Sequence, residues 1–351
     1  MTKKKVLFFL PNSVGGAERV TITIAKMLDL QQYDVKFIIV GRKIGDIANF
    51  IPANYSRQLL HVYNIWDFTI CKLIHLLKVE KPYAVFCSLR YLNARVLLAT
   101  FLVKGIRTIV RNDNTLRTLS IANRFFVKLS YKKADVVIAQ QEEMKCEILR
   151  ELKLSDDKVF VISNPIDTNW IDKKVRGAES PYQGVLGVKY VCVGRIGRHK
   201  GQDILIKAFN LVHNDMKDSH LYLVGQYDKE DLYYKDLCAL LAEYNINDHV
   251  HFVGYTDNPY IWMKFADCFV LSSRYEGLPN ALIEAMYLGK PVVATKCIPV
   301  IQRIVSDTED GILVPSEDYI SMAKAMKSAL HMKVKKMAYK PSGIDDFCKL
   351  F

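Results

Sequence analysis

Short runs of successive apolar, mostly β-branched residues recur along the first half of the chain: Val6 to Leu10, Val35 to Val40, Ala84 to Cys87, Thr108 to Val110, Val136 to Ala139 and Val159 to Ile162. A strand apolar at every position is covered on both faces, as in a parallel sheet. Between these runs the apolar residues return at helical spacing, over Ala17 to Leu30, Phe68 to Lys78, Asn93 to Val103, Leu116 to Lys132 and Glu142 to Leu152. Such alternation predicts a doubly wound α/β sheet. The pattern breaks between Ser163 and Val185, where Pro165, Gly177, Pro181 and Gly184 interrupt a stretch without periodicity. It then restarts, with strands predicted at Tyr190 to Val193, Leu221 to Val224, Val250 to Val253, Cys268 to Leu271 and Pro291 to Thr295. Helices are predicted between them at Asp203 to Val212, Asp231 to Tyr244, Pro259 to Lys264 and Asn280 to Leu288.

The chain of 351 residues therefore divides into a Rossmann-like domain at 1–165, a linker at 166–186, a second Rossmann-like domain at 187–335 and a tail at 336–351. In the tail, Ile344, Phe347, Leu350 and Phe351 form an apolar face expected to dock on the first domain. Ligands of open α/β sheets bind beyond the carboxyl ends of the strands, so a cleft shared by two such sheets is the expected site.

Composition adds less than charge does. Half the residues are hydrophobic and a quarter charged, the balance of a globular chain rather than a disordered or fibrous one. Eight cysteines include no C-x-x-C pair, and Cys87, Cys192 and Cys268 fall inside predicted strands. They read as reduced core residues of a cytoplasmic protein. The apolar run after Lys3-Lys4-Lys5 ends at Pro11, too short for a secretory signal, and no stretch approaches the ~18 apolar residues of a membrane span.

The formal charge of +12 and the pI near 9.1 favour anionic partners. Lys104 to Lys133 concentrates eight basic residues against one acid, Asp113. Phe125, Phe126 and Tyr131 interleave with those charges, as an interfacial helix requires. Peripheral contact with an anionic membrane through residues 104–133 is one reading; a Rossmann helix with its aromatics in the core is the other.

The most specific chemistry lies at Glu276-Gly277-Leu278-Pro279-Asn280-Ala281-Leu282-Ile283-Glu284, a pair of carboxylates between a predicted strand and a predicted helix. Gly277 and Pro279 mark the turn, which puts Glu276 in the loop and Glu284 one to two turns inside the helix. Amides from Leu278 to Ala281 stand at a helix start, a natural site for a diphosphate. Glu276 would then face sugar hydroxyls and Glu284 a ribose diol. Helix termini also attract acids for capping and surface pairing, which is the alternative.

A basic loop, Gly194-Arg195-Ile196-Gly197-Arg198-His199-Lys200-Gly201, follows another predicted strand. The Arg195 fork and the Lys200 point charge suit a pyrophosphate whose charge grows as it leaves; a solvated basic loop is the alternative. After the first strand, Val14-Gly15-Gly16-Ala17-Glu18 lacks the G-x-G-x-x-G spacing of a dinucleotide site. Gly15 and Gly16 permit close approach of a phosphate or acceptor, or a tight turn alone. Arg111-Asn112-Asp113-Asn114 follows the strand ending at Val110, where a first domain presents groups to substrate; Asp113 or Asn114 also suits a helix cap.

Together these residues resemble the retaining glycosyltransferase family 4, whose GT-B fold has two Rossmann-like doubly wound parallel-sheet domains facing a central cleft. Glu276 and Glu284 with Gly277, Leu278 and Pro279 match its E-x7-E motif; Gly194, Arg195, Lys200 and Gly201 match its G-R-(x)n-K-G loop. Gly15, Gly16 and Glu18 match its G-G-x-E loop, and Asn164 with Asp167 its linker, all in order between about Lys5 and Leu330. Many members present His-Asp where this chain has Asn112-Asp113, so no histidine stands at that position; the Arg-Asn-Asp version resembles a subgroup building bacterial cell-surface polysaccharides.

The resemblance implies retaining transfer of a hexose or N-acetylhexosamine from a nucleotide-diphospho-sugar, UDP-sugar favoured over GDP-sugar. The acceptor would be a glycan or lipid-linked glycan, met in the cytoplasm or at the inner face of the membrane. Arg195, Lys200 and Glu276 would be catalytic. Gly15, Gly16, Gly194, Gly277, Leu278, Pro279, Asn280 and Glu284 would line the donor, and Glu18, Arg111, Asn112 and Asp113 would position the acceptor. No metal or other cofactor is expected, because Arg195 and Lys200 supply the counter-charge. A nucleotide-sugar-binding protein without turnover would keep the same donor residues. A nucleic-acid-binding protein would explain the charge, but zinc-finger, helix-turn-helix and RNA-recognition signatures are lacking, so no nucleic acid partner is expected.

Overall fold

The computed structural model of the protein describes residues 2–13, 15–62, 69–113, 116, 121–306, 311–334 and 344–351. Val14, Asn114 and Arg117, part of the motifs above, lie outside that set, as do residues 118–120 of the basic stretch. The described residues fall into two compact units, one reaching to Pro165 and joined by the segment ending at Phe351, the other starting at Ile166.

In the first unit the chain alternates through β1 (Lys4–Pro11), α1 (Gly16–Met27), β2 (Tyr33–Gly41), β3 (Ser56–His61), α2 (Thr69–Glu80), β4 (Ala84–Cys87) and α3 (Arg90–Thr100). It continues through β5 (Arg107–Arg111), α4 (Ile121–Tyr131), β6 (Val136–Ala139), α5 (Glu142–Leu152) and β7 (Val159–Val161). The seven strands are parallel in the order β3-β2-β1-β4-β5-β6-β7. β1 shows why the apolar runs are continuous: Val6, Phe8 and Leu10 enter the core on one face, Leu7 and Phe9 the core on the other.

After α6 (Thr168–Val175), the second unit runs β8 (Val188–Val193), α7 (Gln202–Asp215), β9 (Ser219–Val224), α8 (Leu232–Tyr244), β10 (Val250–Gly254) and α9 (Pro259–Phe265). It ends with β11 (Cys268–Leu271), α10 (Asn280–Tyr287), β12 (Val292–Thr295), α11 (Pro299–Ser306), β13 (Gly311–Val314) and α12 (Tyr319–Ala329). Its six parallel strands are ordered β10-β9-β8-β11-β12-β13. In each sheet the order reverses beside the first strand, between β1 and β4 and between β8 and β11, which is where ligands of such sheets bind.

The stretch 166–186 differs from the linker read in the sequence. It holds α6, and Ile166, Ile171, Val175 and Tyr182 are buried in a core shared with β8, β9 and β11. The last helix, α13 (Ile344–Lys349), belongs with the first sheet. Phe347 is fully buried there, the Phe351 ring lies 5.8 Å from Phe8 and 6.1 Å from Phe86, and Arg107 Nε donates to the Leu350 carbonyl at 2.6 Å.

Charge is divided unequally along the chain. Residues 1–165 hold 26 Lys and Arg against 14 Asp and Glu, whereas 166–351 hold 23 of each. Within the basic stretch, α4 turns Val127, Ser130 and Tyr131 inward and leaves Phe125 (70% exposed), Phe126 and Leu129 (48%) on its outer side beside Lys132. Tyr131, expected among the interfacial aromatics, is instead sealed in the core, its hydroxyl donating to Asn112 Oδ1 at 2.9 Å. Among the described residues no helix is long and apolar enough to cross a membrane.

Candidate active site

Both strands at the switch point of the second sheet feed a polar loop. β8 leads into the basic loop Gly194 to Gly201, and β11 into Ser272-Ser273-Arg274-Tyr275-Glu276-Gly277. Because β8 and β11 pair side by side, loops far apart in sequence leave the sheet together. Lys200 Nζ donates to Glu276 Oε1 at 2.7 Å, and Ser273 Oγ donates to the same oxygen at 2.6 Å. Both charged side chains are largely covered. The Ser272 hydroxyl donates to the Lys200 carbonyl at 2.8 Å. Gly201 closes the basic turn at φ +65°, and a Cβ there would collide with the Ser272 carbonyl oxygen. Left-handed backbone and close approach both call for glycine.

Gln202, fully buried, pins the other side of the loop: its Nε2 donates to the Arg195 carbonyl at 3.1 Å and its Oε1 accepts from the Gly197 N–H at 3.3 Å. The Arg195 side chain is exposed. His199 packs on Tyr275, with ring centroids 5.6 Å apart. Burial, aided by the charges of Lys200 and Arg195 and opposed by Glu276, lowers the His199 pKa, so the ring is neutral at pH 7. Beyond the loop, Val193-Gly194, Val224-Gly225 and Val253-Gly254 end three adjacent strands, with Gly194 N–H donating to the Val224 carbonyl and Gly225 N–H to the Gly254 carbonyl, each at 2.9 Å. Backbone without side chains lines that part of the sheet edge.

On the acidic side, α10 starts at Asn280 with Pro279 as its cap. The expected cradle of amides from Leu278 to Ala281 is smaller than read in the sequence. Pro279 has no N–H, and the Asn280 N–H donates to the Leu278 carbonyl at 3.0 Å. Glu284 sits inside the helix, 5% exposed, and accepts from the Tyr260 hydroxyl at 3.3 Å.

In the first unit the loop after β1 brings Ser13, Gly15, Gly16 and Glu18 together. Ser13 Oγ donates to Glu18 Oε1 at 3.3 Å, and a Cβ on Gly15 would approach Glu18 Oε2 to 2.6 Å. Gly15 thus makes room for a buried carboxylate of its own chain. Arg111 and Asn112 depart from their expected role of facing an acceptor, being 1% and 0% exposed. Arg111 Nη1 donates to Ser88 Oγ at 2.7 Å and Nη2 to Asn164 Oδ1; burial pulls its pKa down to about 10, opposed by Asp113. Asn112 accepts from Tyr131 at its side chain and from Gln140 Nε2 at its carbonyl, 2.8 Å away. Arg111 ends β5 and Asn112 follows it, both inside a buried polar network. Asp113 is less enclosed and lies 3.9 Å from Arg90; burial raises its pKa, while Arg90 and Arg111 work to lower it.

Sequence reasoning missed Gln202, Asp203, Ser272, Ser273 and Arg274, which fix the two loops. Ser272 to Arg274 were findable, because they directly follow the strand that borders the switch point.

Two family profiles match. "Glycosyltransferase Family 4" covers residues 14–170, and "Glycosyl transferases group 1" covers 187–344. Among curated relatives, the N-acetylgalactosamine-N,N'-diacetylbacillosaminyl-diphospho-undecaprenol 4-alpha-N-acetylgalactosaminyltransferase of Campylobacter jejuni is 25% identical over 96% of this chain and 93% of its own. The lipopolysaccharide core biosynthesis mannosyltransferase LpsB of Rhizobium meliloti is 23% identical over 97% and 92%. Among solved structures, Anabaena HepE in complex with UDP and glucose superimposes with a TM-score of 0.78 at 20% identity, over 93% of this chain and 90% of that one.

Proposed function

We propose a function from one starting point: the chain belongs to the GT-B glycosyltransferases, a Glycosyltransferase Family 4 domain followed by a Glycosyl transferases group 1 domain. It transfers a hexose or N-acetylhexosamine from a UDP-sugar to a glycan or lipid-linked glycan, with retention of configuration, in the synthesis of a bacterial cell-surface polysaccharide. The observation that carries this reading is the Lys200–Glu276 pair at the switch point of the second sheet. The UDP and glucose in Anabaena HepE favour the donor, and the undecaprenol-linked substrate named for the Campylobacter relative favours the acceptor.

In the proposed reaction Arg195 and Lys200 neutralise the diphosphate as its charge grows, worth most in a site that excludes water. Glu276, now paired with Lys200, accepts from donor sugar hydroxyls once phosphate takes the ammonium. Glu284 turns its carboxylate to the ribose, and the turn at Gly277 and Leu278 closes around phosphate. The acceptor attacks the face from which the diphosphate departs, a donor phosphate oxygen taking its proton, so neither a protein nucleophile nor a metal enters. On the acceptor side Glu18 and Asp113 remain the groups for hydroxyls, with Arg111 and Asn112 holding the loop beneath them.

The same reading puts the enzyme on an anionic membrane through α4. The whole net charge of +12 lies within residues 1–165, and Phe125, Phe126 and Leu129 stand outward beside Lys132. Apolar side chains flanked by lysine suit the headgroup boundary of such a bilayer.

The experiment is a thermal-shift screen with UDP- and GDP-linked sugars, followed by acceptor-dependent release of nucleoside diphosphate. A ligand at 100 times its Kd adds about 2.7 kcal/mol to the folded state, enough to identify the donor. A protein that no nucleotide-sugar stabilises would refute the reading, and stabilisation without turnover on any acceptor would make it a binding protein.

A further inference from the structure

Arg274 lies two residues before Glu276 and carries no part in the chemistry above, yet its side chain makes five hydrogen bonds. Its Nη1 and Nη2 each lie 2.8 Å from an oxygen of Asp203, in the first turn of α7. Its Nε and Nη2 reach Glu317 at 2.6 and 3.1 Å, and Nη1 also donates to the Arg198 carbonyl at 2.7 Å. Its backbone N–H donates to the His199 carbonyl at 2.8 Å. Asp203 takes a further bond from the Tyr233 hydroxyl at 2.6 Å. Burial acts to raise the Asp203 pKa, but the bonds from Arg274 and Tyr233 win and bring it to about 2. Glu317 holds a left-handed φ of +65°, a conformation that costs energy for a non-glycine residue.

We infer that Arg274 is a positioning residue: by clamping the main chain at Arg198 and His199 to the loop that carries Glu276, it sets Lys200 at its place over the donor diphosphate. A bidentate guanidinium–carboxylate pair fixes angle as well as distance, which a lysine in the same place would not do. Arg274 donates to two successive carbonyls immediately before Lys200, to Arg198 from its guanidinium and to His199 from its N–H. Alanine keeps the second and removes the first together with the bonds to Asp203 and Glu317, which loosens the turn that aims the ammonium. The inference rests on the donor-site reading and adds to it a residue acting through Lys200.

The probe is whichever of UDP-glucose, UDP-N-acetylglucosamine and GDP-mannose most raises Tm, and the readout is steady-state release of its nucleoside diphosphate. Arg274→Ala is expected to lower kcat about 10- to 100-fold, as for a misplaced electrostatic group, with KM changed less than about threefold. In a Lys200→Ala background the same substitution is expected to change kcat by less than about threefold, because residues acting as a unit are not additive. Effects that multiply, or an Arg274→Ala enzyme at wild-type kcat, would overturn the inference and leave the donor site standing. A Lys200→Ala enzyme at wild-type rate, or a wild type stabilised by none of the probes, removes the donor-site reading and this inference with it. Should Arg274→Ala fail to fold, Glu317→Asn decides: asparagine tolerates the left-handed φ and removes one arm of the clamp, so a partial kcat loss that disappears with Lys200→Ala supports the role, and an unchanged kcat overturns it.

Discussion

Lys200 and Glu276 meet at 2.7 Å although they lie on different loops after different strands. The pair is mostly covered, with Ser273 sharing the carboxylate oxygen, and the proposed function requires it to exchange partners with a sugar diphosphate. Lys200→Ala and Glu276→Ala are each expected to cut kcat/KM by about 10²-fold or more. Steady-state rates with the donor and acceptor found by screening check this; two variants near wild type would separate the pair from catalysis.

Arg111 makes a different prediction, because its guanidinium serves the fold. Replacing it with alanine takes a buried donor from Ser88 and from Asn164 and is expected to cost about 2–4 kcal/mol. Urea unfolding with an unchanged slope measures it. Phe125→Ser, on the outer side of α4, is expected to leave the urea midpoint nearly where it was, since exposed substitutions usually stay within about 0.5 kcal/mol.

Vesicle co-sedimentation tests the α4 face. Binding is expected to vesicles containing phosphatidylglycerol and not to phosphatidylcholine alone, and to fall as salt rises. Replacing Lys128 and Lys132 with glutamine should weaken it by roughly fivefold for each lysine, and Phe125→Ser should weaken it independently. Binding indifferent to anionic lipid, or to all three substitutions, would free the face for some other use.

Stability should fall on mild acidification. Four of the eight histidines, His213, His220, His249 and His251, cluster at one edge of the second sheet, with His220 Nδ1 3.2 Å from His251 Nε2. Burial first, then neighbouring imidazoles, lowers the pKa of His213, His220 and His251; Lys217 and Lys189 add to this, and Asp218 and Asp248 oppose it. Above the unfolded value of about 6.5 these rings are neutral in both states and cost nothing. As pH drops through that value the unfolded chain takes protons the folded cluster refuses, so stability declines until the folded pKa values are passed as well. Tm followed from pH 7.5 to 5 should fall, and fall less for His213→Leu; a level Tm would contradict the linkage.

The sequence revealed the sheets wherever a strand is buried on both faces. It missed β3, an edge strand whose Ser56-Arg57-Gln58 opening is polar and which pairs only with β2, and β13, short and also at an edge. The α6 segment was hidden by flanking prolines and glycines, though Ile171 and Val175 already had the spacing of one buried helix face. At the candidate site, Lys200 and Glu276, which the structure brings together, stood out in the sequence because charge after an apolar strand is conspicuous; Arg195 stood out for the same reason, and its side chain is exposed. Arg111 and Asn112 look the same in sequence, and only the surrounding Ser88, Asn93, Tyr131 and Asn164, drawn from four other segments, reveal that they are sealed. The place of Arg274 after its strand was findable, but its partners were not, because Asp203 and Glu317 come from distant turns.

Phe347 and Phe351 fill the same apolar layer as Phe8, Phe37 and Phe86, yet a ribosome makes them only after every strand of the second unit. The half of the molecule translated first therefore waits, with a hole against β1, for a peptide translated more than a hundred and fifty residues later. A fragment cut after Pro165 would be born with that wound open, whereas the core residues described for the second unit all come from its own stretch of chain.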